Sequence, residues 1–229
     1  MNFLAVETSG RSGSIALLCD GHEPYERTLA SDGRRHAQTL IADAAEMMTR
    51  FKLTPKETDC VCVSEGPGSF TGLRVGIVFA KTFGWLNKCP VVSIPTLEAC
   101  AAQVEGTHIC VISDAQRGEV FLGEYLPGPN RPQALAKVEI LSLEAARKRL
   151  TPSTTLTGPG LTKYAADFSE SCVLADSKDW HPRATTIGQL GKHALDTGDI
   201  ADPWKLEPFY LRRSAAEENK SRRATESSA

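Results

Sequence analysis

The sequence predicts an α/β protein built from two related halves, and three observations predict it. Short apolar runs of strand character alternate with longer runs of helical period, glycine-bearing turns separate them, and the opening pattern restarts near Gly106. FLAVE (residues 3–7) and SIALLCD (14–20) read as two strands joined by the turn TSGRSG, after which Asp20-Gly21 sends the chain back. Leu40, Ile41, Ala44, Met47, Met48 and Phe51 then fall at helical spacing. They place a first helix at about 34–51, with Ser31 or Asp32 as its cap. CVCVSE (60–65) is the next strand, and it runs into a glycine turn that launches a helix reaching Leu86. VVSI (91–94) is a further strand, followed by a helix that opens after Pro95 with Thr96 as its cap.

The second half begins with HICVISD (108–114), the turn AQRG and EVFLGEYL (119–126), which repeat the opening hairpin in architecture more than in letters. Each copy ends its first strand on an acid, Glu7 or Asp114, just before a glycine-bearing turn. A helix at 142–150, a strand at 154–157, the turn GPG (158–160) and a helix at 187–196 complete it. The chain therefore divides into lobes at 1–104 and 105–211 and a polar tail at 212–229. Lacking any apolar period, that tail reads as mobile and able to order on a partner.

Bulk properties exclude several classes. Of the 229 residues 41% are hydrophobic and 24% charged, as in ordinary folded domains, so global disorder is not expected. A net charge of −2 argues against a chain-wide electrostatic grip on nucleic acid. Arg212, Arg213, Lys220, Arg222 and Arg223 offer the tail at most a salt-sensitive phosphate contact, diluted by Glu217, Glu218 and Glu226. Seven scattered cysteines form no CxxC pair, which points to reduced, buried thiols. The N-terminal residues have no basic start, and no segment approaches the ~20 apolar residues of a membrane span. A cytoplasmic protein is expected.

The helix after the glycine turn carries Gly72, Gly76, Ala80 and Gly84 at every fourth position. At about 3.6 residues per turn these form one ridge without bulk, and each interior glycine costs roughly 0.5–1 kcal/mol relative to alanine. Close approach of another helix is the compensation expected. The turn itself, with Gly66, Gly68, Ser69, Thr71 and Gly72, meets a helix N-terminus, where free N–H groups favour anions. It is not a P-loop, because Leu73 stands where lysine is required. A phosphate site and a plain tight turn both remain open readings, with Ser69 or Thr71 as cap in either. Glu7, flanked by Thr8 and Ser9, and Asp114 are either solvated strand ends or a carboxylate pair across a cleft, fit for a magnesium–nucleotide. The five histidines provide no HxxxH or HExxH metal pair, and no GxSxG elbow or Cys–His dyad stands out.

LAVETS (4–9), HAQTL (36–40), GPGSFTGLRVGI (66–77), PTLEA (95–99), SDAQRGEVF (113–121) and EPFYLR (207–212) together resemble the TsaB (YeaZ) family of bacterial tRNA threonylcarbamoyladenosine biosynthesis proteins over about the full length. That resemblance implies the actin-like, sugar-kinase-like (ASKHA) ATPase fold, two lobes from a duplicated α/β unit. It implies a non-catalytic relative of TsaD, whose metal site uses an HxxxH pair; TLEACAAQVE (96–105) has no histidine. It further implies a partner surface on the first helix and the small-residue helix: His36, Leu40, Ala44, Met47, Gly72, Val75, Gly76, Phe79, Ala80 and Phe83. TsaD would bind there, or a second copy when TsaD is absent, with TsaE and tRNA reached through the assembly. No catalytic residue and no metal are expected, and magnesium-ATP or -ADP at most weakly, in the cleft or at the subunit junction. Many members carry aspartate where Glu7 stands, which weakens a direct nucleotide role. An independent ATPase or small-molecule kinase of the same fold is the alternative. A metallo-glycopeptidase lacks a visible metal site or nucleophile.

Overall fold

The structure is a computed structural model that describes residues 1–29 and 36–212, with side chains from residue 39 onward in the second range. In chain order the first half runs β1 (Asn2–Glu7), β2 (Ser14–Cys19), β3 (Tyr25–Thr28), α1 (His36–Arg50), β4 (Cys60–Gly66), α2 (Phe70–Asn87), β5 (Val91–Pro95) and α3 (Thr96–Ala101). The second half runs β6 (Ile109–Gln116), β7 (Glu119–Leu126), β8 (Gln133–Ala134), β9 (Glu139–Ser142), α4 (Leu143–Arg147), β10 (Thr155–Thr157), α5 (Leu161–Phe168), β11 (Val173–Leu174) and α6 (Ala184–Asp196). The caps Ser31 and Asp32, the His36 side chain and the tail beyond Arg212 lie outside the described residues.

Each half repeats one plan. β1 and β2 form an antiparallel hairpin, β4 runs parallel to β1 on its far side, and β5 runs parallel to β4, giving the order β3-β2-β1-β4-β5. β6 and β7 likewise form a hairpin, with β10 parallel to β6 and β11 parallel to β10; β8 and β9 both pair with β7. The restart read at Gly106 is this second copy.

Strand alternation sends Leu4, Val6, Val61 and Val63 to one face of the first sheet and Phe3, Ala5, Cys60 and Cys62 to the other. α1 and α2 cover the first of these faces. The other is covered by α6 through Ala184, Ile187, Leu190 and Ala194. α3 packs in turn on the second sheet, against Ile109, Val111, Phe121 and Tyr125, while α4 and α5 cover that sheet's outer face. The two lobes thus exchange helices, and five layers result: α1/α2, sheet, α3/α6, sheet, α4/α5. The boundary at residue 105 separates the sheets but not the packed units, because α6 comes from the second half and finishes the first lobe.

One expectation is overturned here. Gly72, Gly76, Ala80 and Gly84 do not face outward; all four are buried against the protein's own first sheet. A Cβ on Gly76 would lie 2.4 Å from Thr8 Oγ1, and one on Gly84 would lie 2.6 Å from Val91 Cγ2. The bare ridge lets α2 sink onto β1, β4 and β5, so its glycines serve the monomer. Met47 is likewise core, fully buried under α1. Thr96 is not the cap of α3 either: Pro95 holds that position, and the Thr96 hydroxyl accepts the Gly66 N–H at 3.1 Å. Among the described residues no helix is long and apolar enough to cross a membrane.

Candidate functional site

Two places gather the residues singled out in the sequence. The first is the junction of β1 with the glycine turn, where Glu7, Thr8 and Ser9 meet Gly66–Gly72. Ser69 N–H donates to Ser9 O at 2.7 Å, and Thr8 Oγ1 donates to Gly72 O at 2.8 Å. A Cβ on Gly68 would come within 2.6 Å of Ser9 O, and one on Gly72 within 1.9 Å of Thr8 O. What these two glycines cradle is the Thr8–Ser9 backbone. Ser69 caps α2 by accepting the Gly72 N–H at 3.3 Å, so part of the helix N-terminus is already satisfied from within; Thr71 is exposed on its first turn. Gly66, at φ 120°, faces Phe209 O at 2.7 Å from its ideal Cβ, so the C-terminal segment lies over the turn.

Glu7 is fully buried. Its Oε1 accepts Ser9 N–H at 2.7 Å and Ser64 Oγ–H at 3.0 Å, whereas Oε2 has no partner among the described residues. Burial pushes its carboxyl up to about 7 against the hydrogen bonds that favour ionisation. Asp114 does not join it. Its carboxylate accepts Gln116 N–H at 2.9 Å and Tyr164 O–H at 3.1 Å and pairs with Lys163 at 3.1 Å, so its bonds remain in the second lobe. The two acids are thus differently employed, one buried and one in an ion pair.

A pH prediction follows from Glu7. Its folded pKa lies above the unfolded carboxylate value, so the folded state holds the extra proton. Stability from this group is then full below about 4.5 and falls as pH rises towards about 7. Glu7→Gln is expected to flatten that decline and to be the more stable form at pH 8, by on the order of 2–3 kcal/mol. Urea unfolding from pH 4 to 8 checks it; parallel pH profiles for the two proteins would contradict it.

The second place is the outer side of α1 and α2. α2 is apolar on both sides, and with its glycine ridge on the sheet it turns Val75, Val78, Phe79, Phe83 and Leu86 outward. Facing them are Leu40, Ile41, Ala44 and Met48 of α1. Between the helices runs a groove of about 670 Å³. Leu40 and Ala44 form its buried floor, Phe79 and Phe83 stack with centroids 5.7 Å apart, and Ile41 (68% exposed), Val78 (61%) and Leu86 (62%) stand at its rim. An apolar groove flanked by exposed aliphatic side chains is the kind of surface that interaction sites use. Ile41, Val78 and Leu86 line this groove beyond the residues singled out in the sequence, and the apolar character of α2 is a signal for Val78 and Leu86.

Comparison with known proteins agrees with this architecture. The family model of TsaD, tRNA N6-adenosine threonylcarbamoyltransferase, matches residues 28–171. The tRNA threonylcarbamoyladenosine biosynthesis protein TsaB of Bacillus subtilis is 31% identical, over 95% of this chain and 96% of its own length. TsaB of Escherichia coli is 26% identical, over 94% and 96% respectively. YeaZ from Pseudomonas aeruginosa superposes with a TM-score of 0.80 at 22% identity, covering 92% of this chain and 99% of that one. The duplicated two-sheet architecture is accordingly the actin-like, sugar-kinase-like (ASKHA) fold, and the chain belongs to the TsaB (YeaZ) family.

Proposed function

We propose that this chain is a subunit, without bond-making chemistry of its own, of the assembly that transfers threonylcarbamoyl to the adenosine beside the anticodon of ANN-reading tRNAs. It binds and activates TsaD through the α1/α2 groove, and alone it closes the same groove with a second copy. TsaE and tRNA join through the assembly, in the cytoplasm. Family membership supports the pathway, and the open apolar groove carries the mode of action. The surface is the one that the resemblance implies, but the contact is made by Val75, Phe79, Phe83 and the rim residues rather than by the glycine ridge.

The alternative of an independent ATPase or small-molecule kinase draws no specific support. The glycines of its would-be phosphate turn are taken up by the Thr8–Ser9 backbone, and Glu7 is sealed from solvent. Magnesium-ATP is expected to bind weakly at most and not to turn over in the isolated chain.

Val78→Glu with Leu86→Glu tests the docking face. Both positions are exposed, so the thermal midpoint should hold within a few degrees while TsaD affinity and self-association fall at least about 30-fold. Sedimentation with and without TsaD reads both; undiminished association would refute the groove assignment. A phosphate-release assay on the isolated chain separates the kinase reading, which requires turnover.

A further inference from the structure

We infer that His108, Cys110 and Glu124 form a binding site for a divalent cation of zinc type on the outer face of the second sheet. The register assembles it. β6 and β7 set Cys110 directly opposite Glu124, and His108, two residues before Cys110, shares its face. The imidazole nitrogen, thiol sulfur and carboxylate oxygen lie within 4.8 Å of one another. His108 Nε2 and Glu124 Oε2 are already 3.4 Å apart. Ligands held at about 2.0–2.3 Å in a tetrahedral shell stand roughly 3.3–3.8 Å apart, so closing the triad on an ion requires movements of about 1 Å.

The surrounding groups aim these atoms as an outer shell does. His108 Nδ1 is 3.2 Å from Thr154 Oγ1, which leaves Nε2 facing the carboxylate. Arg149 Nη1 holds Glu124 Oε1 at 3.2 Å, leaving Oε2 towards the histidine. His108 and Glu124 thus each have one atom fixed and the other presented, as outer-shell partners arrange metal ligands. Donor chemistry selects the ion: one sulfur, one nitrogen and one oxygen suit zinc and its borderline-soft neighbours, not magnesium or calcium. On binding, Cys110 gives its thiol proton to solvent and a sulfur–metal bond forms. Thiolate and carboxylate then neutralise the dication. Cys110 is the buried floor, while His108 and Glu124, with side chains 26% and 16% exposed, line the way in. With three protein ligands, a fourth position stays open to water. The site lies on the face covered by α4 and α5, separate from the α1/α2 groove.

Cobalt(II) titration of the full-length protein, purified with chelator, tests the assignment. One equivalent should produce the visible bands of a tetrahedral site and a thiolate-to-cobalt charge-transfer band, both displaced by zinc. Cys110→Ser should lose the charge-transfer band. His108→Ala, a change at a partly exposed position outside the apolar core, should weaken cobalt affinity at least about tenfold. Cys19→Ser and Cys89→Ser, at the partly exposed thiols elsewhere, should change nothing. A spectrum without saturable tetrahedral absorption would overturn the site, as would equal affinity in His108→Ala, whose fold is checked by circular dichroism.

Discussion

Gly72→Ala is expected to cost more than about 3 kcal/mol of folding stability, the upper end of the overpacking range and a large share of a domain's 5–15 kcal/mol. The added methyl would lie 1.9 Å from Thr8 O, far inside van der Waals contact. That neighbour is backbone and cannot rotate away. It is held in place twice, by the Thr8 hydroxyl bond to Gly72 O at 2.8 Å and by Ser69 N–H on Ser9 O at 2.7 Å. Relief therefore demands that α2 lift from β1, which would open the packing of Leu73 and Ile77 beneath it. Gly84→Ala meets a side-chain methyl of Val91 at 2.6 Å instead, and a loss of about 1–3 kcal/mol is expected. Urea midpoints of the isolated protein read both. Were these glycines an external contact ridge, both variants would keep full monomer stability and lose association alone, so unchanged midpoints would refute the buried arrangement.

That ridge shows where sequence reasoning ran out. Spacing placed the four small residues on one line, as found, but the close neighbour is the chain's own sheet where another helix was expected. Nothing in the spacing distinguishes a sheet of the same chain from a helix of another, since either gains from backbone approach. The arbiter was on the opposite side of the same helix: Val75, Val78, Phe79, Phe83 and Leu86 make α2 apolar all round, and such a helix is covered twice. The longer strands were legible, β1, β2, β4, β6 and β7 all lying where the continuous apolar runs place them. β3, β8, β9 and β11 were not, because two to four residues on a sheet edge carry too little pattern. α5 carries Leu161, Tyr164, Ala165 and Phe168 at helical spacing, but with eight residues directly after the GPG turn it spans little more than two turns of pattern. The helix exchange between lobes had no local signal, since it depends on which sheet face is left open once each half has folded.

The same is true of Arg131, whose position in the loop after β7 suggests nothing until the lobes are assembled. There its guanidinium takes Glu98 of α3 in a two-pronged pair, Nε to Oε1 and Nη2 to Oε2, both at 2.8 Å, and reaches Asp199 at 3.4 Å. Glu98 keeps only 7% of its side chain exposed and Arg131 keeps 31%. Water therefore cannot readily replace the cation. Arg131→Met is expected to destabilise the protein by about 3–5 kcal/mol, because it strands a buried carboxylate rather than merely deleting a bond. Glu65, whose own carboxyl is pushed up by burial and by the nearby Asp199 and Glu98, adds to the repulsion left behind. Glu98→Gln in the Arg131→Met background should accordingly recover part of the deficit. Arg131→Lys keeps the charge but loses the planar fork, so it should fall between the two. Because α3 lies between the sheets and Asp199 precedes the Ala201 bridge to Val91 of β5, this pair ties the second lobe to the first-lobe edge. If Arg131→Met unfolds with the midpoint of the parent at pH 7, the pair is a surface contact and the lobes are held by apolar packing alone.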